Sequence, residues 1–387
     1  MHDIYLDHAA TTPVREEVFE AMKPYFDGTK IGNASSIHRY GRKVRVEIDK
    51  ARRTVAKSIG ARHDEIIFTS GGTEADNLAI RGTAIANREN GRHIISTNAE
   101  HHAVLHVLEQ LEREGFEVTY LPVGVDGAVT AKEVEAVLRD DTILVTIMHG
   151  NNETGIVNPI AEIGEMLRTH QAVFHSDAVQ SYAVLDLNVE QLGIDLLSAS
   201  AHKLNGPKGA GFLYVKNQTN VLPLSYGGEQ EKKLRPGTEN AAAIIGLESA
   251  VLLREAERTE RYERYLTLKK MLLERLDANG VDYERNDYIA ESTLPHIVNI
   301  SFQGVPTEPL LAQLDLAGVA VSSGSACTAG SFQPSHVLQA MFGDDDERIK
   351  TSIRFSIGST NTEQQVIDTA DTLAEVTALI RSRLQTR

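Results

Sequence analysis

One cysteine stands in the 387 residues. Cys327 lies in VSSGSACTAGSFQP (321–334), a run of small residues and glycines. Residues 322–331 hold no Leu, Ile, Val or Phe, the side chains from which packed cores are built. A thiolate in such a loop can take an atom from a bound molecule and carry it to a partner. The ordinary alternative is a lone thiol packed as a small hydrophobe, since reactivity needs an accessible, electropositive setting. A second group is Lys203 in SASAHKLNGPKGAGFLYV (198–215). It follows an apolar strand and a Ser-Ala-His turn, then meets Gly206, Pro207, Gly209 and Gly211. A lysine at the carboxyl end of a buried strand can form a Schiff base with a carbonyl. An exposed loop lysine is the alternative.

A Schiff-base lysine is how pyridoxal phosphate is held, and that group makes three further demands. Its ring nitrogen needs an acid, so that a protonated pyridinium can withdraw electrons from the substrate α-carbon. Asp177 closes the strand-like AVFHSDA (172–178), although a helix-capping role is equally open. Its phosphate needs backbone N–H groups at a helix start. TSGGTEADNLAI (69–80) offers strand, Gly71, Gly72, Thr73 and then a helical run, which also reads as a glycine turn with a Thr cap. Its flat ring needs something to stack on, and EHHAVL (100–105) puts His101 at a strand-to-helix junction, where capping or solvation is the alternative.

Each signal is modest alone, but their order is specific: Gly-Gly-Thr, Glu-His, Asn-Asn-Glu, Asp-x-x-Gln, Ser-x-His-Lys. In that order the chain resembles the cysteine desulfurases, a branch of the fold-type I pyridoxal-phosphate enzymes also called class V aminotransferases. The likeness runs from YLDHAATTP at residue 5 to SIRFSIG at 358, and SSGSACT resembles the long-loop group. The resemblance implies that Lys203 is the Schiff-base lysine and proton shuttle, and that His101 stacks on the ring and exchanges protons with the substrate thiol. It implies Asp177 at the ring nitrogen, Gln180 and Asn152 beside the ring oxygen, and Gly72, Thr73, Ser200 and His202 at the phosphate. Thr238 in RPGTEN is then the residue reaching the neighbouring subunit's phosphate, which implies a homodimer. Arg354 is the clamp on the substrate carboxylate, a role that suits a planar guanidinium, with an exposed strand charge as the alternative. Cys327 is expected to take sulfur from L-cysteine as a persulfide and release alanine, with His101 as its local base. The sulfur acceptor is an iron–sulfur scaffold or a tRNA 2-thiolation enzyme. GGEQEKKLRPGTEN resembles the bacterial desulfurases that serve thiouridine synthesis.

These residues must be held by an α/β architecture. Strand-length apolar runs at 65–70, 93–99, 118–123, 142–149, 172–178, 196–201 and 209–215 alternate with helical stretches such as 74–89 and 159–170. Such alternation predicts a mostly parallel sheet covered by helices, with ligands beyond the carboxyl ends of its strands. One long charged helix is expected over 245–278, then a smaller α/β unit with strands near 295–302, 319–323 and 351–358 and two helices. The expected division is a large cofactor-binding domain, 15–255, and a small domain built from 1–14 and 256–387, carrying the Cys327 loop at about 321–334.

The totals narrow the classes. A formal net charge of −15 argues against direct nucleic-acid binding and against an anionic membrane surface. One cysteine excludes an internal disulfide, and without a Cys or His pair at ligand spacing no self-contained metal site is expected, leaving Cys327 as a transient iron–sulfur ligand at most. MHDIYLDHAATTP lacks the basic and apolar blocks of a signal peptide, so a cytoplasmic protein is expected. Two rival readings share the motifs: a selenocysteine lyase or other β-lyase, and a non-catalytic sulfur-trafficking scaffold.

Overall fold

The computed structural model describes residues 3–287, 292–324 and 334–385; Cys327 lies outside them. In chain order the first elements are β1 (Ile4–Tyr5), α1 (Glu16–Met22), α2 (Arg39–Ser58), β2 (Ile66–Thr69), α3 (Gly72–Ala86) and β3 (His93–Thr97). Next come α4 (His102–Arg113), β4 (Glu117–Leu121), α5 (Ala131–Val137), β5 (Thr142–Thr146), α6 (Ile160–Leu167) and β6 (Val173–Asp177). β7 (Leu196–Ser200), β8 (Gly211–Val215) and α7 (Ala241–Ala278) lead to β9 (Glu284–Arg285), β10 (Ile297–Ser301), α8 (Thr307–Leu316) and β11 (Val319–Ala320). The chain ends with α9 (His336–Phe342), α10 (Arg348–Thr351), β12 (Ser352–Ser356) and α11 (Glu363–Gln385).

Seven strands form one sheet in the order β2-β8-β7-β6-β5-β3-β4. The neighbours from β7 to β4 are parallel, while β8 runs antiparallel to both β7 and β2. Alternate side chains serve opposite faces, as the two-residue strand repeat dictates. Ile94, Leu144 and the α4 residues Val104, Leu108 and Leu111 share one cluster. Their neighbours Ile95, Val145 and Leu197 enter a larger cluster on the other face. Both faces being covered explains why these strands read as continuous apolar runs. Each fully buried Leu, Ile or Val contributes about 1.5–3 kcal/mol.

All seven expected runs of the sheet are strands. The long helix starts four residues earlier than expected, at Ala241, where the Asn240 side chain accepts the Ala243 N–H. It packs on α1, α2 and α11, and its apolar residues Leu247, Val251, Leu268 and Leu276 join the larger cluster. The expectation of two helices after it is corrected: α8, α9, α10 and α11 are described there. α9 and α10 are shorter than two turns and carry no readable period. β12-β10-β9 form an antiparallel sheet, and β1 pairs in parallel with β11. The Asp7 and Ser322 bridges to Ser356 and Arg354 tie that pair to β12. Among the described residues no helix is long and apolar enough to cross a membrane.

Candidate active site

The carboxyl ends of β2, β3, β5, β6 and β7 open toward one cleft of about 390 Å³. Sequence and sheet direction put it there, since the chain leaves each parallel strand on the same side. Lys203 follows fully buried β7 by a single 3₁₀ turn, Ala201–Lys203. Its ammonium donates to the Ala10 carbonyl at 2.9 Å and to the Ala9 carbonyl, so the N-terminal LDHAATT segment orients the amine. Gln180 Nε2 donates to that same Ala9 carbonyl at 2.9 Å.

Asp177 ends β6, and its Oδ1 accepts the Val179 N–H at 2.8 Å. Sequence reasoning missed its neighbour Asp76, four residues into α3 and lining the same cleft. An oxygen of each carboxylate and one His101 ring nitrogen lie within 4.8 Å of one another. Burial raises both carboxyl pKa values, and for Asp76 the neighbouring Asp177 charge adds to burial in pushing it well above the ordinary range. Behind them His175 is used at both nitrogens, by Thr146 Oγ1 at 2.8 Å and Ser198 Oγ at 3.0 Å, and burial lowers its pKa to about 3.

His101 is the N-cap of α4, and its Nδ1 accepts the Ala103 N–H at 3.0 Å. His101 thus caps a helix, the alternative the sequence offered, and also lines the cleft. Burial, then the nearby Lys203 charge, lowers its pKa to about 4. With Nδ1 occupied as an acceptor, the neutral ring carries its proton on Nε2 and presents a donor. Such a neutral ring offers the cleft a hydrogen-bond donor, while its Nδ1 lone pair is already taken up by the Ala103 N–H.

At the start of α3, Gly71 and Gly72 bring the backbone close to Val179, where a Cβ on Gly72 would sit 2.7 Å from Val179 Cγ2. Thr73, Ser200 and His202 complete this corner. Ser200 Oγ is buried with no hydrogen-bond partner among the described residues, and His202 Nδ1 meets Thr11 Oγ1 at 3.2 Å. Burial, then the Lys203 charge, lowers the His202 pKa to about 4.

On the far side Arg354, in fully buried β12, donates from Nη1 to the Asn152 carbonyl at 2.9 Å and from Nη2 to Asp7 Oδ1 at 2.6 Å. Its Nε is buried and has no partner among the described residues. The exposed-strand alternative is thus corrected. Asn152 lines the cleft beside it. Thr238 lies elsewhere in this chain, in an adjoining pocket with Ser70, Gly209 and Arg235. Cys327 is outside the described residues, and the described residue nearest it in sequence on the amino-terminal side, Gly324, lines the cleft.

Pyridoxal 5′-phosphate fits this donor set. An aldehyde finds the Lys203 amine, a ring nitrogen finds Asp177, and a phosphate finds a helix start with the unpaired Ser200 hydroxyl.

Comparison with known proteins agrees. The family described as aminotransferase class-V matches residues 4–368. IscS 1 of Bacillus subtilis strain 168 is 56% identical over 376 residues, covering 97% of this chain and 99% of the relative. A cysteine desulfurase IscS of Dictyoglomus turgidum is 46% identical over 380 residues, covering 98% and 96%. A solved structure titled "NIFS-like protein" superposes with a TM-score of 0.90 at 34% identity, covering 97% of this chain and all of the other. With a match running over nearly its whole length, the chain belongs to the class V aminotransferases, and within them to the cysteine desulfurases, enzymes that work with pyridoxal 5′-phosphate.

Proposed function

We propose that the protein converts L-cysteine to L-alanine and passes the sulfur to Cys327 as a persulfide. One observation carries this: the Lys203 amine, the buried Asp177 carboxyl and the Arg354 guanidinium open onto a single cleft. The cofactor, when bound, supplies an electron sink for the charge that develops on the substrate α-carbon. Asp177 holds the proton of the ring nitrogen, and the raised pKa of Asp76 beside it favours that neighbour's uncharged form. Gly72, Thr73, Ser200 and His202 hold the phosphate, and Gln180 and Asn152 steady the ring edge. Arg354, braced by Asp7 and the Asn152 carbonyl, presents its guanidinium from the cleft wall to the substrate carboxylate.

Lys203 anchors the cofactor and, once released by substrate, takes the α-proton on its ε-amine, a transfer typically worth about 10²–10⁴ in rate. His101 covers the ring and donates a hydrogen bond from Nε2. The Cys327 thiolate attacks the substrate sulfur. A sulfur–sulfur bond forms as the Cβ–S bond breaks, the bonding pair stays with the β-carbon, that carbon takes a proton to become the methyl group of alanine, and the Lys203 ammonium returns the α-proton.

The assembly is a homodimer in which Thr238 serves the neighbouring cofactor. Support comes from its position outside its own chain's cleft and from the exposed apolar side chains Ile37, Tyr226 and Phe26. The persulfide passes to an acceptor protein, a tRNA 2-thiolation enzyme or an iron–sulfur scaffold, in the cytoplasm. Incubation with L-cysteine followed by intact-mass analysis tests the reaction. The expected result is a gain of one sulfur, absent in Cys327→Ser, with alanine in solution. Pyruvate, ammonia and hydrogen sulfide from Cys327→Ser at the wild-type rate would point to a β-lyase instead.

A further inference from the structure

The residue after Asn152 has no part in the cleft chemistry above, yet its side chain touches three residues next to the Cys327 segment. Glu153 is buried, and its backbone is fixed on both sides. Asn151 Oδ1 accepts the Glu153 N–H at 2.8 Å, and Asn299 Nδ2 donates to the Glu153 carbonyl at 3.1 Å. Its Oε2 accepts the Ser335 hydroxyl at 2.5 Å. Ser335 is the N-cap of α9, its Oγ accepting the Leu338 N–H at 3.1 Å, so the hydroxyl is committed at both ends. The same Oε2 faces Gly324, where an added Cβ would fall 2.6 Å away at a backbone φ of +92°. The other oxygen, Oε1, lies 4.0 Å from His336 Nδ1, and His336 Nε2 bonds the Glu100 carbonyl at 2.9 Å.

In sequence, Gly324 and Ser335 stand on either side of Cys327. One carboxylate oxygen therefore touches the chain just before and just after the segment that bears the thiol. Gly324 N donates to Ser322 Oγ at 3.2 Å, and Ser322 is bridged to Arg354 by a backbone bond of 2.6 Å from Arg354 N to the Ser322 carbonyl. The carboxylate is thus built into the same frame as the substrate clamp. A buried carboxylate is costly unless it accepts hydrogen bonds, so its place here calls for a use.

We propose that Glu153 is a positioning residue for sulfur transfer: it fixes the spacing of Gly324 and Ser335 at the cleft mouth and so sets where the Cys327 segment begins and ends. It rests on the desulfurase reading and touches neither cofactor nor substrate. Misplacing a reacting group by about 1 Å costs roughly a hundredfold in rate.

The test uses the cofactor-loaded enzyme. Two quantities are followed after mixing with L-cysteine: the change in cofactor absorbance, which reports substrate binding, and the rate of sulfur gain on Cys327 by rapid-quench intact mass. In Glu153→Ala the absorbance change should keep its wild-type half-saturation while sulfur gain slows roughly tenfold to a hundredfold. Glu153→Gln, whose amide oxygen still accepts the Ser335 hydroxyl, should recover most of that loss. Ser335→Ala, which keeps the carboxylate but frees one end, should slow sulfur gain in the same direction, and it decides the matter if Glu153→Ala does not fold. Wild-type sulfur gain in Glu153→Ala and Ser335→Ala overturns the proposal. So does a glutamine variant no better than alanine, or an absorbance response lost in step with sulfur gain. A wild-type enzyme that gains no sulfur on Cys327 defeats the desulfurase reading itself, an outcome distinct from these.

Discussion

Asp76 and Asp177 make the sharpest residue-level contrast in the cleft. Both are buried carboxyls, and burial, then the neighbouring Asp177, raises the Asp76 pKa well above the ordinary range. Asp76→Asn, a neutral isostere, should then leave cofactor affinity within about threefold of wild type. Asp177→Asn removes a charge-assisted hydrogen bond worth about 1.5–3 kcal/mol and should weaken it roughly tenfold to a hundredfold. Titrating the apoprotein with pyridoxal 5′-phosphate by absorbance checks both, and equal losses would mean that the two acids share one role. Arg354→Lys should raise the KM for L-cysteine roughly tenfold with cofactor absorbance unchanged, because an ammonium cannot replace the guanidinium edge. Residues of this kind could be picked out where type and place coincide: a lysine among glycines and an aspartate closing a strand, both on the cleft wall. Asp76 could not, because a carboxylate inside EADN looks like any solvated helix position. The Ala9 and Ala10 carbonyls that steer Lys203 were invisible for a different reason: backbone groups carry no residue type.

Glu100 shows how the elements are tied under the cleft. It sits between β3 and α4, accepts the Thr97 hydroxyl at 2.8 Å, and receives the Met148 N–H beyond β5 at 3.0 Å. Burial outweighs these bonds and raises its pKa from 4.5 to about 8. For an acid with a raised folded pKa, the stabilising contribution is full below the unfolded value and is lost as pH climbs through the folded one. Urea unfolding of the apoprotein should therefore show wild type losing stability relative to Glu100→Gln between pH 4.5 and about pH 8, and levelling off above that. A constant difference across that window would contradict the buried, protonated carboxyl. Gly211 matters through space instead of charge. A Cβ there would lie 2.5 Å from the Ala199 carbonyl oxygen and 2.7 Å from Gly71 Cα, both backbone atoms that cannot step aside. Gly211→Ala should cost about 1–3 kcal/mol in thermal unfolding and loosen the phosphate corner with it. The central strands were readable because both faces are buried and the runs are continuously apolar. β1 and β9, two residues each, and the short helices α9 and α10 have too little length for any period to register.

Over the whole molecule, one apolar cluster extends from α2 through α7 to β10, β12 and α11, so the N-terminal segment, the sheet and the C-terminal strands share an interior. The surface is less even. Ile37 is 90% and Tyr226 87% exposed, and the two segments meet where Gln230 approaches Ser35 at 3.5 Å. In the proposed homodimer a charged residue there should oppose self-association: Ile37→Glu should shift sedimentation toward the monomer at low concentration, and an unchanged sedimentation profile would remove this patch from the proposed interface. The reversed strand β8 has its own bearing on how the pocket comes into being. Because it turns straight back along β7, the bend holding Lys203 closes over a short stretch of chain, from Ser200 to Gly211. β2, with the glycine corner behind it, finds β8 only after everything between Thr69 and Gly211 has been made and gathered. Short closures cost less entropy and come first, so the amine's bend forms early and the anion's seat docks onto it late.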